Sequence, residues 1–168
     1  RALAQFQRTL ISADSRYDWF VSGEDPTALT DHEMEGLQLF EDKCAGCHAT
    51  AFFTDQSYRN NGLDTTYSDA HERVAWGRAR ITDDVSDLGK YKVPTVRNIA
   101  LTAPYMHDGR YKTLDAVLAH YRTGVQDSEA LDASLRGDDG TLGIAMTDEE
   151  AAAIIAFLLT LTDESFVS

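Results

Sequence analysis

The chain has 168 residues, enough for one domain of ordinary size, and 43% of them are hydrophobic, enough to bury a core. Its formal charge of −13 argues against binding to nucleic acid or an anionic membrane surface, and for a basic partner or plain solubility. The longest apolar run, Ala151 to Leu161, is shorter than the roughly 20 residues a bilayer crossing needs, so no membrane span is expected.

In chain order the pattern is helical. Ala2 to Ser12 places Leu3, Phe6, Leu10 and Ile11 near helical spacing and predicts a long first helix. Asp14 to Pro26 reads as a connection. Thr30-Asp31-His32-Glu33 is a capping box, in which the Thr and Glu side chains serve each other's backbone amides. The helix it opens is predicted to run to about Asp42, with Met34, Leu37, Leu39 and Phe40 inward. Gly36 leaves room there for another backbone or for a bound group.

Cys44-Ala45-Gly46-Cys47-His48 follows directly. This C-x-x-C-H run is the attachment site of a c-type haem: the thiols form thioethers to the porphyrin, and the adjoining imidazole is held under the iron. The rival readings are a redox dithiol and a metal site. The chain has 2 cysteines, so a zinc site would lack further soft ligands. Covalent haem is attached outside the bacterial cytoplasm, so a periplasmic protein is expected. The first residue is Arg1, which implies processing or truncation upstream.

Residues 49 to 68 read as a polar loop with a turn at Asn61-Gly62. Asp69 to Ala79 reads as a short helix containing Trp76, and Asp83 to Gly89 as an acidic loop. Lys92-Val93-Pro94 is extended at most. A turn at Asp108-Gly109 precedes Thr113, which caps a helix from Leu114 to Tyr121. Ser128 to Gly143 is a polar surface excursion. Thr147-Asp148-Glu149-Glu150 is a second capping box, opening a last helix, Ala151 to Leu161, apolar nearly all round and therefore buried.

A leading helix, the haem motif, an irregular middle and a closing helix make the plan of an all-α, class I cytochrome c-like domain with long loops and an extra N-terminal helix. Residues 1–28 would be the N-terminal helix and connection, and 29–168 the haem-binding core. The distal ligand decides between electron transfer and chemistry. Met106, His107, His120 and Tyr121 all lie downstream. From chemistry alone Met106 is the default, because a thioether completes most small electron carriers. The two histidines read more naturally as hydrogen-bonded structural residues, and Tyr121 as core.

Lys92 to Tyr121 reads KVPTVRNIALTAPYMHDGRYKTLDAVLAHY, and the opening reads ALAQFQRTLISADSRYDWF. Both closely resemble the C-terminal haem domain of the bacterial di-haem cytochrome c peroxidase and MauG family. The resemblance implies that Cys44 and Cys47 hold haem and that His48 is proximal. It moves the distal ligand to the helix after the HDG turn. That position is Met in the peroxidases and Tyr in MauG-like members; here it is Tyr121, with Met106 as the alternative. It also implies that backbone carbonyls of Thr102 and Pro104 could bind calcium, or simply shape the pocket. Arg97 would pair with a haem propionate or form an ordinary ion pair, and His107 would be a pocket residue near the distal side.

The same resemblance implies two haems, of which the peroxide-reactive one belongs to an N-terminal domain missing from this chain, present as a separate or cleaved chain. The expected function is storage or transfer of oxidising equivalents for hydrogen-peroxide-dependent oxidation at that partner haem, with a redox protein donor or a protein substrate. The rival is a mono-haem electron-transfer cytochrome with His48/Met106 ligation. One covalent haem c is expected, with calcium as an additional ion.

Overall fold

A computed structural model describes residues 1–49, 51–67 and 74–167. Helices run over Ala2–Gln7 (α1), Arg16–Ser22 (α2), Asp31–Lys43 (α3), Ala79–Thr82 (α4), Leu114–Ala119 (α5), Asp148–Leu159 (α6) and Glu164–Val167 (α7). Strands Tyr58–Arg59 (β1) and Tyr91–Lys92 (β2) pair antiparallel, with Tyr58 opposite Lys92. The fold is thus helical with one small ribbon, and all-α describes it only coarsely. Of the expected Asp69–Ala79 helix, residues 69–73 lie outside the described residues. Beyond them, Val74–Trp76 is a 3₁₀ turn and Ala79 opens α4.

The frame is α3 packed on α6. Both capping boxes form: Glu33 accepts from the Thr30 amide at 2.8 Å, and Glu150 accepts from the Thr147 amide at 2.8 Å. The helices meet at Gly36, where an added Cβ would lie 2.0 Å from the Ala153 carbonyl oxygen. Around this crossing Phe40, Phe53, Val96, Leu114, Leu118, Ile154, Phe157, Leu158 and Leu161 form the core. Helix α6 begins at Asp148 and buries Ala153, Ile154, Phe157 and Leu158, but Leu159 is half exposed, so its apolar surface is not covered all round.

The N-terminal segment differs from its sequence reading. The first helix stops at Gln7, and none of its residues is buried. Leu3, Phe6, Leu10 and Ile11 are all exposed. Six residues with no capping side chain cannot hold a longer helix without tertiary support. A second helix, α2, lies where a connection was expected. Ser15 and Asp18 form its capping box, and Gly23 closes it at φ 77°. The Ser-x-x-Asp spacing carried that signal.

Candidate functional site

Between the end of α3, β2 and its following loop, α5 and α6 lies a cavity of about 580 Å³, within the range of cofactor sites. Its walls are largely apolar, with Phe40, Val96, Leu118, Ile154 and Leu158 among them. Cys44, Cys47 and His48 line it too. The helix end places them there: the Cys44 amide donates to Phe40 at 2.8 Å, and the Cys47 and His48 amides both turn back to the Cys44 carbonyl, at 3.1 and 3.0 Å.

His48 is aligned as a metal ligand. Its Nδ1 lies 3.1 Å from the Phe53 carbonyl, and the Pro94 carbonyl also bonds the ring, so backbone acceptors orient the imidazole. Phe53 makes this contact from φ 52°, while its ring packs among Tyr17, Phe40 and Phe157. Burial lowers the His48 pKa and favours the neutral, ligating form. Burial also pushes the Cys44 thiol up to about 12 and raises that of Cys47. A redox dithiol needs the opposite shift, so the pair is unsuited to thiol–disulfide exchange. Among the described residues no group of three or more His, Cys, Asp or Glu could hold a metal ion.

Of the four distal candidates, Met106, His107 and Tyr121 line this cavity. Met106 sits at φ 71° in a loop closed by the Tyr105 amide on the Tyr111 carbonyl at 2.7 Å. Tyr121 stands on a π-helical turn, His120–Gly124, that ends α5 early; such turns recur at functional sites. Burial raises its pKa, and a hydrogen bond from Asn61 works against that rise. His107 stacks on Tyr91 at 3.8 Å, and partial desolvation lowers its pKa. His120 is buried elsewhere: Nε2 meets the Asn61 carbonyl at 2.9 Å and Nδ1 the Tyr111 hydroxyl at 3.4 Å. Both ring nitrogens are engaged, which matches the structural reading of this histidine.

The cytochrome c family model matches residues 33–162. The chain belongs to the cytochrome c family. Relatives of this cytochrome include the cytochrome c peroxidase Ccp of Escherichia coli K12, 39% identical over 73% of the chain and 27% of that protein. The methylamine utilization protein MauG of Methylorubrum extorquens AM1 is 33% identical over 97% of the chain and 43% of that protein. A solved MauG-like protein associated with microbial copper homeostasis superposes with a TM-score of 0.82, at 34% identity, over 97% of the chain and 56% of its own. The chain thus spans well under two thirds of each. Cytochrome c domains carry haem covalently, and the two thiols and the His48 imidazole on one apolar cavity fit that group.

Thr102 and Pro104 line the cavity. Arg97 is engaged outside its described lining, where it grips Asp18 with two bonds of 2.9 and 2.8 Å and donates to the Ala51 carbonyl at 3.0 Å. Of its two readings, the geometry is that of the ion pair. Arg59, which sequence reading missed, is the arginine that lines the cavity, held by Asp55 and Asp132. Asp55 lies four residues before it, but Asp132 comes from 73 residues further along the chain. Asn61 was read as half of a turn, yet its side chain reaches Met106 Sδ at 3.4 Å.

The Arg97–Asp18 pair ties α2 to the loop that supports Phe53. Burial pushes the Asp18 carboxyl up, but Arg97 and Ser15 outweigh it and hold the pKa below the ordinary value. Its contribution is therefore full above the ordinary carboxylate pKa of about 4 and is lost as pH falls through the lowered folded value. Asp18→Asn is expected to cost ~2 kcal/mol at neutral pH, between exposed and buried pairs. Thermal melts of variant and parent should converge in strong acid; a gap of constant size at all pH values would refute the electrostatic origin.

Proposed function

We propose that this chain is the c-type haem domain of a periplasmic, MauG-like di-haem peroxidase, storing or passing oxidising equivalents while peroxide reacts at a partner haem domain. The observation that carries this reading is one cavity lined jointly by Cys44, Cys47, His48 and Tyr121. Cys44 and Cys47 would hold one haem as thioethers, His48 Nε2 would bind the iron proximally and Tyr121 distally. When bound, the haem supplies reversible electron exchange. Residues 29–168 form its binding core and residues 1–28 an N-terminal extension; the family match at 33–162 supports this division.

The chain's own residues do the rest. The Phe53 and Pro94 carbonyls hold the His48 ring in place, which orients it as a ligand. The apolar walls exclude water, which strengthens every charge interaction inside. His107, neutral and stacked on Tyr91, lines the cavity and can accept or give a hydrogen bond there. Calcium would be an additional ion. It takes about six to eight oxygens, and among the described residues no group of three or more His, Cys, Asp or Glu could hold a metal ion by itself, so calcium would rest on carbonyls such as those of Thr102 and Pro104. No step here uses calcium.

The test is the mass and haem content of the native particle, with peroxide-dependent oxidation of a small cytochrome assayed on the same sample. Two haems in a particle larger than this chain, with turnover, are expected. One haem on a particle of this chain's size, inert to peroxide, would overturn the reading and leave a mono-haem carrier.

A further inference from the structure

The exposed N-terminal arm repeats the inner face of α6. Ala2, Leu3, Phe6, Thr9 and Leu10 stand at the same spacing as Ala153, Ile154, Phe157, Thr160 and Leu161. Local bonds repeat with them. Thr9 Oγ1 donates to the Phe6 carbonyl at 2.7 Å, as Thr160 Oγ1 does to the Phe157 carbonyl at 2.7 Å. The Leu10 and Leu161 amides each donate three residues back, at 3.3 Å. Burial does not repeat. The five residues of α6 and its C-terminal turn are 0 to 1% exposed, whereas Leu3, Phe6 and Leu10 are 80%, 61% and 51% exposed. Arg8 stands where α6 carries its half-exposed Leu159, so the charge falls on the outward side. Gln7 replaces Leu158, a wall of the cavity, so the face that repeats most fully is the one that crosses α3. The arm is rooted beside the end of α6: Asn98 Nδ2 donates to Ser12 Oγ at 2.9 Å, and the Asp14 amide donates to Asp163 at 3.1 Å.

We propose that residues 2–10 are the closing helix of a second cytochrome c core: the Leu3, Phe6 and Leu10 face docks on the first helix of the partner haem domain, as α6 docks on α3. This docking rests on the proposed di-haem reading and names the contact that holds the two domains together. Helix α6 shows what such a face requires. It crosses α3 at Gly36, where an added Cβ would lie 2.0 Å from the Ala153 carbonyl oxygen and 2.9 Å from the Phe157 Cβ. Ala2 and Phe6 are the counterparts of those two residues, so the receiving helix carries a glycine at the crossing with apolar side chains around it. A second copy of this chain offers no such helix, because its own α6 already covers Gly36 of α3. The occupant is a cytochrome core that takes its closing helix from this chain. Docking also accounts for the shortness of α1. Its six residues bury nothing here, and burial of three large apolar side chains supplies the tertiary support that so short a helix needs.

The native particle, isolated with whatever partner domain it carries, is measured first by hydrogen exchange. The amides of residues 6–10 should exchange at least about 100-fold more slowly than an unstructured peptide, approaching those of residues 157–161. A photo-reactive phenylalanine analogue is then placed at position 6, with position 8 as the outward-facing control. Position 6 should cross-link to the helix that precedes the partner's own haem-attachment motif, and position 8 should not. Phe6→Glu should halve the haem content of the particle while this domain keeps its own haem, because a core without its closing helix cannot enclose a porphyrin. Arg8→Glu should leave the haem content unchanged. If Phe6→Glu yields no protein, exchange and cross-linking decide without it. In a two-haem particle, residues 6–10 exchanging at unstructured rates, or a cross-link to this chain's own body or to a second copy, would overturn the docking and leave the di-haem reading standing. A one-haem particle of this chain's size would overturn that reading and the docking with it.

Discussion

On Tyr121 ligation, Tyr121→Met is expected to raise the reduction potential by on the order of 0.1 V or more, out of the roughly 0.8 V that axial ligands span. An anionic oxygen donor stabilises the oxidised iron, whereas a neutral thioether stabilises the reduced form. The substitution is well suited to its place. Tyr121 lines the cavity from a π-helical turn whose backbone is pinned independently: the Ile144 amide donates to the Tyr121 carbonyl at 2.7 Å, and Gly143 packs against it. The side chain can therefore change while its backbone stays. Methionine is flexible enough to fill the space the ring leaves. Because Met106 borders the same cavity, the measurement is made in a Met106→Leu background, so that any thioether signal comes from the new residue. A redox titration followed by absorbance gives the result. A potential unchanged from parent would remove Tyr121 from the iron and, with it, the storage role proposed for this domain.

The parts of this site that sequence makes legible are those written within a few residues. C-x-x-C-H is one, since its geometry is covalent and local. The capping boxes at Thr30 and Thr147 are others, since each closes over three residues. The distal side is built from contacts far apart in the chain: Asn61 reaches Met106 45 residues away, and His120 reaches back 59 residues to Asn61. Helical periodicity also fails at the decisive point. It carries α5 through Tyr121, whereas the π-helical turn splits two adjacent residues, His120 into the packed interior and Tyr121 to the cavity. Arg97 is a similar case. A motif resemblance can set it near a haem, but only the fold brings Asp18, 79 residues earlier, into its grip. At the N-terminus the error ran the other way: apolar spacing at Leu3, Phe6, Leu10 and Ile11 suggested one long helix, yet it stops at Gln7 and these four side chains are exposed.

Gly36→Ala should destabilise the domain by about 3 kcal/mol or more and sharply lower its haem loading. On an open helix surface the same change would gain about 1 kcal/mol, because alanine is the better helix former, so any loss is net of that gain. The obstruction is severe. The added Cβ would lie 2.0 Å from the Ala153 carbonyl oxygen, 2.6 Å from its carbon and 2.9 Å from the Phe157 Cβ. Two of these are backbone atoms of α6, so no side-chain rotation relieves the clash and the helices must separate. Separation reaches the site directly. Phe40 lies one turn beyond Gly36 on α3, and Ile154 and Leu158 lie beside Ala153 and Phe157 on α6; all three are cavity walls. Cys44 hangs from the end of the same α3 through the Phe40 carbonyl. A shift of α3 against α6 thus displaces the first attachment thiol from the pocket that must receive the porphyrin. Gln38→Ala, on the exposed face of α3, serves as control and should change stability by less than about 0.5 kcal/mol. Denaturant unfolding and haem content per chain are the measurements. A Gly36→Ala variant as stable as the control, with full haem content, would show that the α3–α6 crossing can open without cost and is not what shapes the cavity.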